Sequence, residues 1–169
     1  MNQHLERLDG LATFLRAPAL ELVNLCLKHL KRKLLIVHTW RSMKSQMLIY
    51  EEGRTFDRAS GVWAVTDPRA VRTNAKPGLS AHNVITRDGK EAAMGFDCIP
   101  FDQFGAPEWA VCEAFWDDLY SLAWQVGLDP LGDPIGSYLA GDKGHFQEPG
   151  WELKLDGLGL IMPHQEVVL

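Results

Sequence analysis

Residues 77–97 read Pro77-Gly78-Leu79-Ser80-Ala81-His82-Asn83-Val84-Ile85-Thr86-Arg87-Asp88-Gly89-Lys90-Glu91-Ala92-Ala93-Met94-Gly95-Phe96-Asp97. The stretch opens on Pro-Gly punctuation, which reads as loop, and runs into an apolar segment, Phe96–Pro100, which reads as a short strand. Between them, Asp88-Gly89 is a hairpin-tip signal. A histidine in a loop and a carboxylate at a strand start are thus separated by a projecting tip. They stand fifteen positions apart (97 − 82), and a surface loop can lengthen at small entropic cost, so both can still converge. His145, in Gly141-Asp142-Lys143-Gly144-His145-Phe146, supplies a second imidazole. Two histidines and one aspartate with a position left for water is the ligand set of a catalytic zinc, not a structural one. Asp142, three residues before His145, can turn its carboxylate into the same cleft and hold a water there. The helical H-E-x-x-H motif is absent, which excludes that class of zinc enzyme. Asp88 competes with Asp97 for the ligand role, although an aspartate before glycine at a tip is by its own chemistry a turn residue.

Outward from this stretch the chain reads as helices around short strands. Pro18 and the apolar Leu20, Val23, Leu27 and Leu30 predict a helix over 18–31, with Lys28 and Lys31-Arg32-Lys33 at its C-terminal end where cations suit the dipole. Leu34–Val37 predicts a buried strand, and Met43–Glu51 a helix stopped by Gly53. Residues 53–90 read as mostly loop, with a short strand near Trp63–Val65. Pro107 opens the clearest helix, in which Cys112, Phe115, Leu119, Leu122 and Val126 form a core stripe closed by Gly127. In the tail, Trp151–Leu155 and Leu158–Met162 flank Asp156-Gly157 and predict a hairpin. Helices flanking short, locally connected strands indicate an α+β class. Trp63, Trp109 and Trp151 read as packing residues in preference to the lining of a substrate groove, and Cys98 as a small core residue.

The 169 residues suit one domain. With 17 Lys+Arg against 22 Asp+Glu the net charge is −5, which argues against an electrostatic grip on nucleic acid or anionic lipid. Three separated cysteines, Cys26, Cys98 and Cys112, make neither a disulfide framework nor a thiolate zinc site. No run reaches a membrane span, and the N-terminus has no signal-peptide pattern.

Several blocks together resemble the zinc peptidases that cut peptidoglycan stem peptides: D-Ala-D-Ala carboxypeptidases, dipeptidases and, most closely, L-alanyl-D-glutamate endopeptidases of the bacteriophage endolysin type. In family order these are Thr39-Trp40-Arg41-Ser42 with Gln46, Tyr50 and Gly53-Arg54-Thr55; Thr73–Asn83; Gly95-Phe96-Asp97; and Asp142-Lys143-Gly144-His145-Phe146-Gln147. The resemblance spans roughly residues 18–155 and departs at one place, since the first histidine and the aspartate stand closer in the family than here. It implies a single catalytic domain over 1–169 without a separate cell-wall-binding domain, with a hedgehog/DD-peptidase-like short antiparallel sheet, flanking helices and a zinc cleft. One Zn2+ per chain would be held by His82, Asp97 and His145, with Asp142 as catalytic base and Arg41 on the oxyanion or a substrate carboxylate. Ser80 and Gln46 would contact the stem peptide. The implied function is hydrolysis of the L-Ala–D-Glu bond by a monomer made in a host cytoplasm, without membrane insertion, that acts on the wall after release. The alternatives are a D-Ala-D-Ala carboxypeptidase or dipeptidase of the same fold, and a non-catalytic wall-binding or virion protein.

Overall fold

A computed structural model describes residues 7–108, 110–131 and 142–163. Among them α1 (Arg16–Leu25) continues through a π-helical turn, Cys26–Leu30, and is followed by β1 (Leu34–His38), α2 (Met43–Glu51), β2 (Arg54–Asp57) and β3 (Val62–Val65). Then come β4 (Ile85–Thr86), β5 (Gly95–Pro100), α3 (Glu113–Gln125), β6 (Asp129–Pro130), β7 (His145–Gln147) and β8 (Leu160–Ile161). The main sheet has the order β1-β5-β7-β6, with every neighbouring pair antiparallel. The molecule is therefore a small α+β domain whose short antiparallel sheet is flanked by helices.

The register of β5 on β7 organises everything else. Phe96 pairs with Phe146, whereas Gly95 pairs with Gln147 and Asp97 with His145. Because side chains alternate across a strand, the Phe pair takes one face and the polar residues take the other. The two Phe rings stack at 5.7 Å and are covered by Tyr120 of α3 at 6.2 Å. Phe115, Trp116, Leu119, Tyr120, Leu122 and Ala123 of α3 are all buried in the same core as Leu22 and Cys26 of the first helical segment. Burying such side chains stabilises by about 1.5–3 kcal/mol each, so this face holds the sheet together and leaves the other free for chemistry.

Most predicted elements stand where the pattern places them, and three differ. The first helix begins before Pro18, which falls in its first turn where no N–H is needed, and it stops where Lys31 turns left-handed at φ 57°. Pro107 does not open α3. It lies opposite Phe101 in an isolated bridge, and Cys112, with extended backbone, is the N-cap of a helix that starts at Glu113. The tail does not fold on itself. Trp151–Leu153 and Asp156–Leu158 are 3-10 turns, and β8 pairs with β4 at the base of the 85–91 tip. Thr86 satisfies the tip's backbone, and Gly89 takes φ 83°, as the Asp-Gly reading requires. The 53–65 region also contains a strand the pattern missed, β2, paired with β3.

Cys26 and Cys98 are buried and Cys112 is exposed. Burial pushes the Cys26 thiol up to about 12, and the Cys98 thiol well above its ordinary value. At about pH 8, where a free thiol is substantially reactive, an aromatic disulfide reagent should label one thiol per native chain and three after denaturation. A second fast thiol in the native protein would contradict the burial of Cys26 and Cys98 in the core.

Candidate metal centre

His82 enters the site from a 3-10 turn, Ala81–Asn83, capped by Ser80, whose Oγ accepts from the His82 N–H at 3.3 Å. Asn83, fully buried, fastens this turn with both ends of its amide. Its Nδ2 donates to the Arg41 carbonyl at 2.8 Å, and its Oδ1 accepts from the Gly78 N–H at 3.0 Å. The Arg41 N–H donates to the His82 carbonyl at 2.8 Å, so the loop after β1 and the histidine turn are laced together. Asp97 and His145 arrive as directly opposed residues on β5 and β7. The backbone at Gly95 packs closely beneath them: a Cβ there would stand 3.0 Å from His145 Nε2 and 3.2 Å from the Ala81 Cβ, so a side chain would have to displace the His145 ring slightly.

Three ligand atoms converge. His145 Nδ1 lies 2.9 Å from Asp97 Oδ1, His82 Nε2 lies 3.3 Å from the same oxygen, and the two ring nitrogens are 3.2 Å apart. In a tetrahedral zinc centre with bonds of about 2.0–2.2 Å, the ligand-to-ligand edges are about 3.3–3.5 Å, so this triangle fits one such ion with a slight expansion. The hydrogen bonds on the far sides of the rings settle which nitrogens are available. His82 Nδ1 faces the Thr39 carbonyl, to which it donates, leaving a lone pair on Nε2. His145 Nε2 faces Gln147 Oε1 at 3.3 Å, leaving a lone pair on Nδ1. The amide of Gln147 is oriented in turn by Asp129 Oδ2, which accepts from its Nε2 at 3.4 Å. With that tautomer three acceptors face one another, and either a proton on His145 Nδ1 donated to Asp97 Oδ1 or a cation bound between them relieves the repulsion. The His82/Asp97/His145 cluster is thus consistent with a single Zn2+ site.

Asp97 is held ionised for that task. Burial pushes its carboxyl up, but the adjacent His82 and His145 outweigh this and hold it well below the usual carboxylate range. Its second oxygen, Oδ2, accepts from Arg41 Nη2 at 3.2 Å and lies 3.6 Å from His38 Nδ1, so only Oδ1 is turned to the triangle. His38 reaches this position because a bulge in β1 sets it opposite Asp97. His145 is pushed down by burial and pulled up by its hydrogen bond to Asp97, with a net rise. A proton and a metal would compete for the same Nδ1, so metal affinity falls as pH is lowered.

A cavity of about 730 Å³ opens over the triangle. Arg41, Ser80, His82, Asp97, Asp142 and His145 all line it, so six of the seven residues singled out in the sequence share one cleft. Gln46 is the seventh and has a different place. It is fully buried, its Nε2 donates to the Ala75 carbonyl at 2.9 Å, and its Oε1 accepts from Arg41 Nη1 at 2.9 Å. With both ends of its amide engaged, it holds Arg41 rather than facing the cleft. Asp88 is also excluded as a ligand: its exposed carboxylate is taken by Thr86 and by Lys90 at 2.8 Å. Trp151 is buried and borders the cleft, Trp63 is half-buried against Phe56 at 5.2 Å, and Trp109 lies outside the described residues. Crowding by the cleft walls raises the Asp142 carboxyl, with the nearby His145 pulling the other way. An acid with a raised pKa beside three zinc-type ligands in a concave site is the equipment of a metal-dependent hydrolase.

Gln147 and Asn83 were not assigned roles from the sequence. For Gln147 a signal existed, since a residue two positions after His145 in a strand shares its face. Gln147→Leu should weaken zinc binding about 10- to 100-fold, measured by competition with a chromophoric chelator, because the His145 ring loses its orienting partner. Unchanged affinity would show that β7 alone orients the ring.

No protein-family model matches the chain, and no curated protein sequence does. Solved structures match in fold. The L-Ala D-Glu endopeptidase ChiX of Serratia marcescens is 14% identical, with a TM-score of 0.52 and 90% of each chain covered. A variant of the vancomycin resistance D,D-pentapeptidase VanY from a VanB-type resistance cassette, in complex with Zn(II), is 14% identical with a TM-score of 0.55, over 88% of this chain and 78% of that one. VanYB in complex with D-alanine-D-alanine is 16% identical with a TM-score of 0.55, over 90% and 80%. At such identities the likeness is one of fold, and in this chain that fold carries its own His/His/Asp cluster at the base of a cleft.

Proposed function

We propose that the protein is a zinc-dependent peptidase of peptidoglycan stem peptides, cutting the L-Ala–D-Glu bond. The observation that carries this is the triangle of His82 Nε2, Asp97 Oδ1 and His145 Nδ1 with Asp142 lining the same cleft. The fold likeness to ChiX and to the VanY structures supports a peptidase, and the sequence resemblance to phage-type L-alanyl-D-glutamate endopeptidases supports the choice of bond. When bound, zinc supplies Lewis acidity, lowering the pKa of a water and polarising the scissile carbonyl. The chain's own groups do the rest. Asp142 takes the proton from the attacking water and returns it to the leaving amine. Arg41 keeps Asp97 turned toward the cluster through Oδ2, and the remaining face of its guanidinium borders the cleft, where a substrate carboxylate such as that of D-Glu can pair with it. Ser80 lines the cleft beside His82. Biologically, the reading is of an endolysin-type enzyme, made in a host cytoplasm and acting on the wall after release.

Zinc-reconstituted protein incubated with purified sacculi, followed by mass spectrometry of the released muropeptides, tests it. Stem peptides that have lost their L-Ala link are the expected product. Release of terminal D-Ala instead would move the protein to the carboxypeptidase reading, and intact sacculi would leave a binding role alone.

A further inference from the structure

The cleft carries a second pair of opposite charges besides those around the metal cluster. Arg72 Nε lies 3.2 Å from Glu52 Oε2, and both residues line the cleft. Among the described residues it is the only ion pair with both partners in the lining and neither in the cluster. Lys143 pairs with Glu113, which lies outside the lining, and Arg41 is committed to Asp97 and Gln46. The Arg72 and Glu52 side chains remain 70% and 48% exposed, so a ligand in the cleft can reach both. An exposed pair of this kind contributes little to stability, and its partners can turn to a ligand at small cost.

The backbone, not the ion pair, fixes the spacing of the two charges. Glu52 is the C-cap of α2, and Gly53 after it turns the chain at φ 74°. The Gly53 carbonyl accepts from the Thr66 and Asp67 N–H groups at 2.9 and 3.0 Å, and a Cβ on Gly53 would stand 2.8 Å from the Val71 nitrogen. Glu52 and Arg72 are the residues next to that close approach. Arg54 adds a further tie, donating to the Tyr50 carbonyl at 2.6 Å and to Asn74 Oδ1 at 3.0 Å.

Helix α2 also sets where the pair stands along the cleft. It begins after Ser42, beside the Arg41 that holds Asp97, and ends at Glu52, with Ile49 one turn earlier also in the lining. Ten helical positions advance about 15 Å. An extended peptide advances about 3.3–3.6 Å per residue, so two residues beyond the scissile bond and a long side chain cover about that distance. A side chain ending in one charge would satisfy one partner and face a like charge on the other. A side chain ending in an ammonium and a carboxylate on the same carbon complements both.

We propose that Arg72 and Glu52 form a specificity site for the third stem residue, selecting one whose side chain ends in a free amino acid group, its carboxylate on Arg72 and its ammonium on Glu52. This rests on the peptidase reading above and adds to it which stem the enzyme prefers.

The test uses the full chain, zinc-loaded, and three synthetic stem tripeptides, N-acylated L-Ala-γ-D-Glu-X. X is meso-diaminopimelate with both charges, L-lysine with the ammonium alone, or 2-aminopimelate with the carboxylate alone. In the native chain kcat/KM should be about tenfold higher for the diaminopimelate stem than for either other, through KM, the scale of one charge-assisted pair. Arg72→Gln should erase the preference for diaminopimelate over lysine, and Glu52→Gln the preference for diaminopimelate over aminopimelate, each keeping the other preference. Comparing stems within one variant cancels any general loss of folding or zinc. The same order should appear in Kd, measured by calorimetry in an Asp142→Asn background where turnover is slow. Equal treatment of the three stems by the native chain, or preferences unchanged in both variants, would overturn the inference and leave the peptidase reading standing. Neither binding nor cleavage of any stem would overturn both.

Discussion

Asp97→Ala should abolish stoichiometric zinc binding, and Asp88→Ala should leave it intact. The contrast follows from where each carboxylate is engaged. Asp97 Oδ1 lies 2.9 and 3.3 Å from the two ring nitrogens and is the only acidic member of the cluster. Its removal leaves two imidazoles and an open site, and it strips Arg41 of its ionic partner at 3.2 Å. Each protein ligand carries a substantial part of the free energy of zinc binding, so affinity should fall at least about a hundredfold. Asp88 stands at an exposed tip, bonded to Thr86 and Lys90, and makes no contact with the cluster. Isothermal titration calorimetry of both variants, with circular dichroism to verify folding, reads this directly. Zinc retained by Asp97→Ala and lost by Asp88→Ala would move the site to the tip.

The second large effect is on turnover alone. Asp142→Asn should keep one zinc per chain and lose about 10²- to 10⁴-fold in kcat/KM on stem peptides, the usual contribution of a positioned general acid–base group. Asp142 lines the cleft but is not among the converging ligand atoms, so metal and chemistry should separate here. The effect on stability has a definite sign. Desolvation raises the Asp142 carboxyl above its unfolded value, so the folded chain binds this proton more tightly than the unfolded chain does. Its ionised form therefore opposes folding once pH exceeds the unfolded pKa, fully so above the raised value. Replacing it with a neutral isostere should leave the melting temperature at neutral pH unchanged or slightly higher, while activity collapses. Full activity in this variant would remove Asp142 from the mechanism. A large fall in melting temperature would mean that the residue is structural.

The local elements were legible where one short pattern decides them. Helix α2 occupies Met43–Glu51 as read, because Ser42 caps it, accepting from the Ser45 N–H at 3.1 Å, and Gly53 with φ 74° turns the chain after it. The stripe through Phe115, Leu119 and Leu122 is buried as its spacing requires. The start of α3 was not legible, because Pro107 suits a helix N-terminus and a bridging segment equally well. What decides is that the chain at 100–108 still pairs with itself, the Glu108 N–H donating to the Pro100 carbonyl at 2.9 Å. The tail hairpin failed for a similar reason. Leu160–Ile161 finds a better partner in Ile85–Thr86, far away in sequence, than in the segment before its own turn.

The same division holds for the candidate site. The types of residue, the acid three positions before His145 and the ordered blocks that resemble zinc peptidases were sufficient to nominate His82, Asp97, His145 and Asp142, because ligand chemistry and short motifs are local properties of the chain. Tertiary structure decided the distances among the ligand atoms, the choice of ring nitrogen through Thr39 and Gln147, and the use of Arg41 as the clamp on Asp97. It also decided that Gln46 is bonded to Arg41 and is not among the residues lining the cleft, and that the Trp116 N–H is left without a partner. Each of these depends on which remote carbonyl, amide or carboxylate packs within hydrogen-bond reach. That is set by the closure of the whole core, not by any stretch of sequence read by itself.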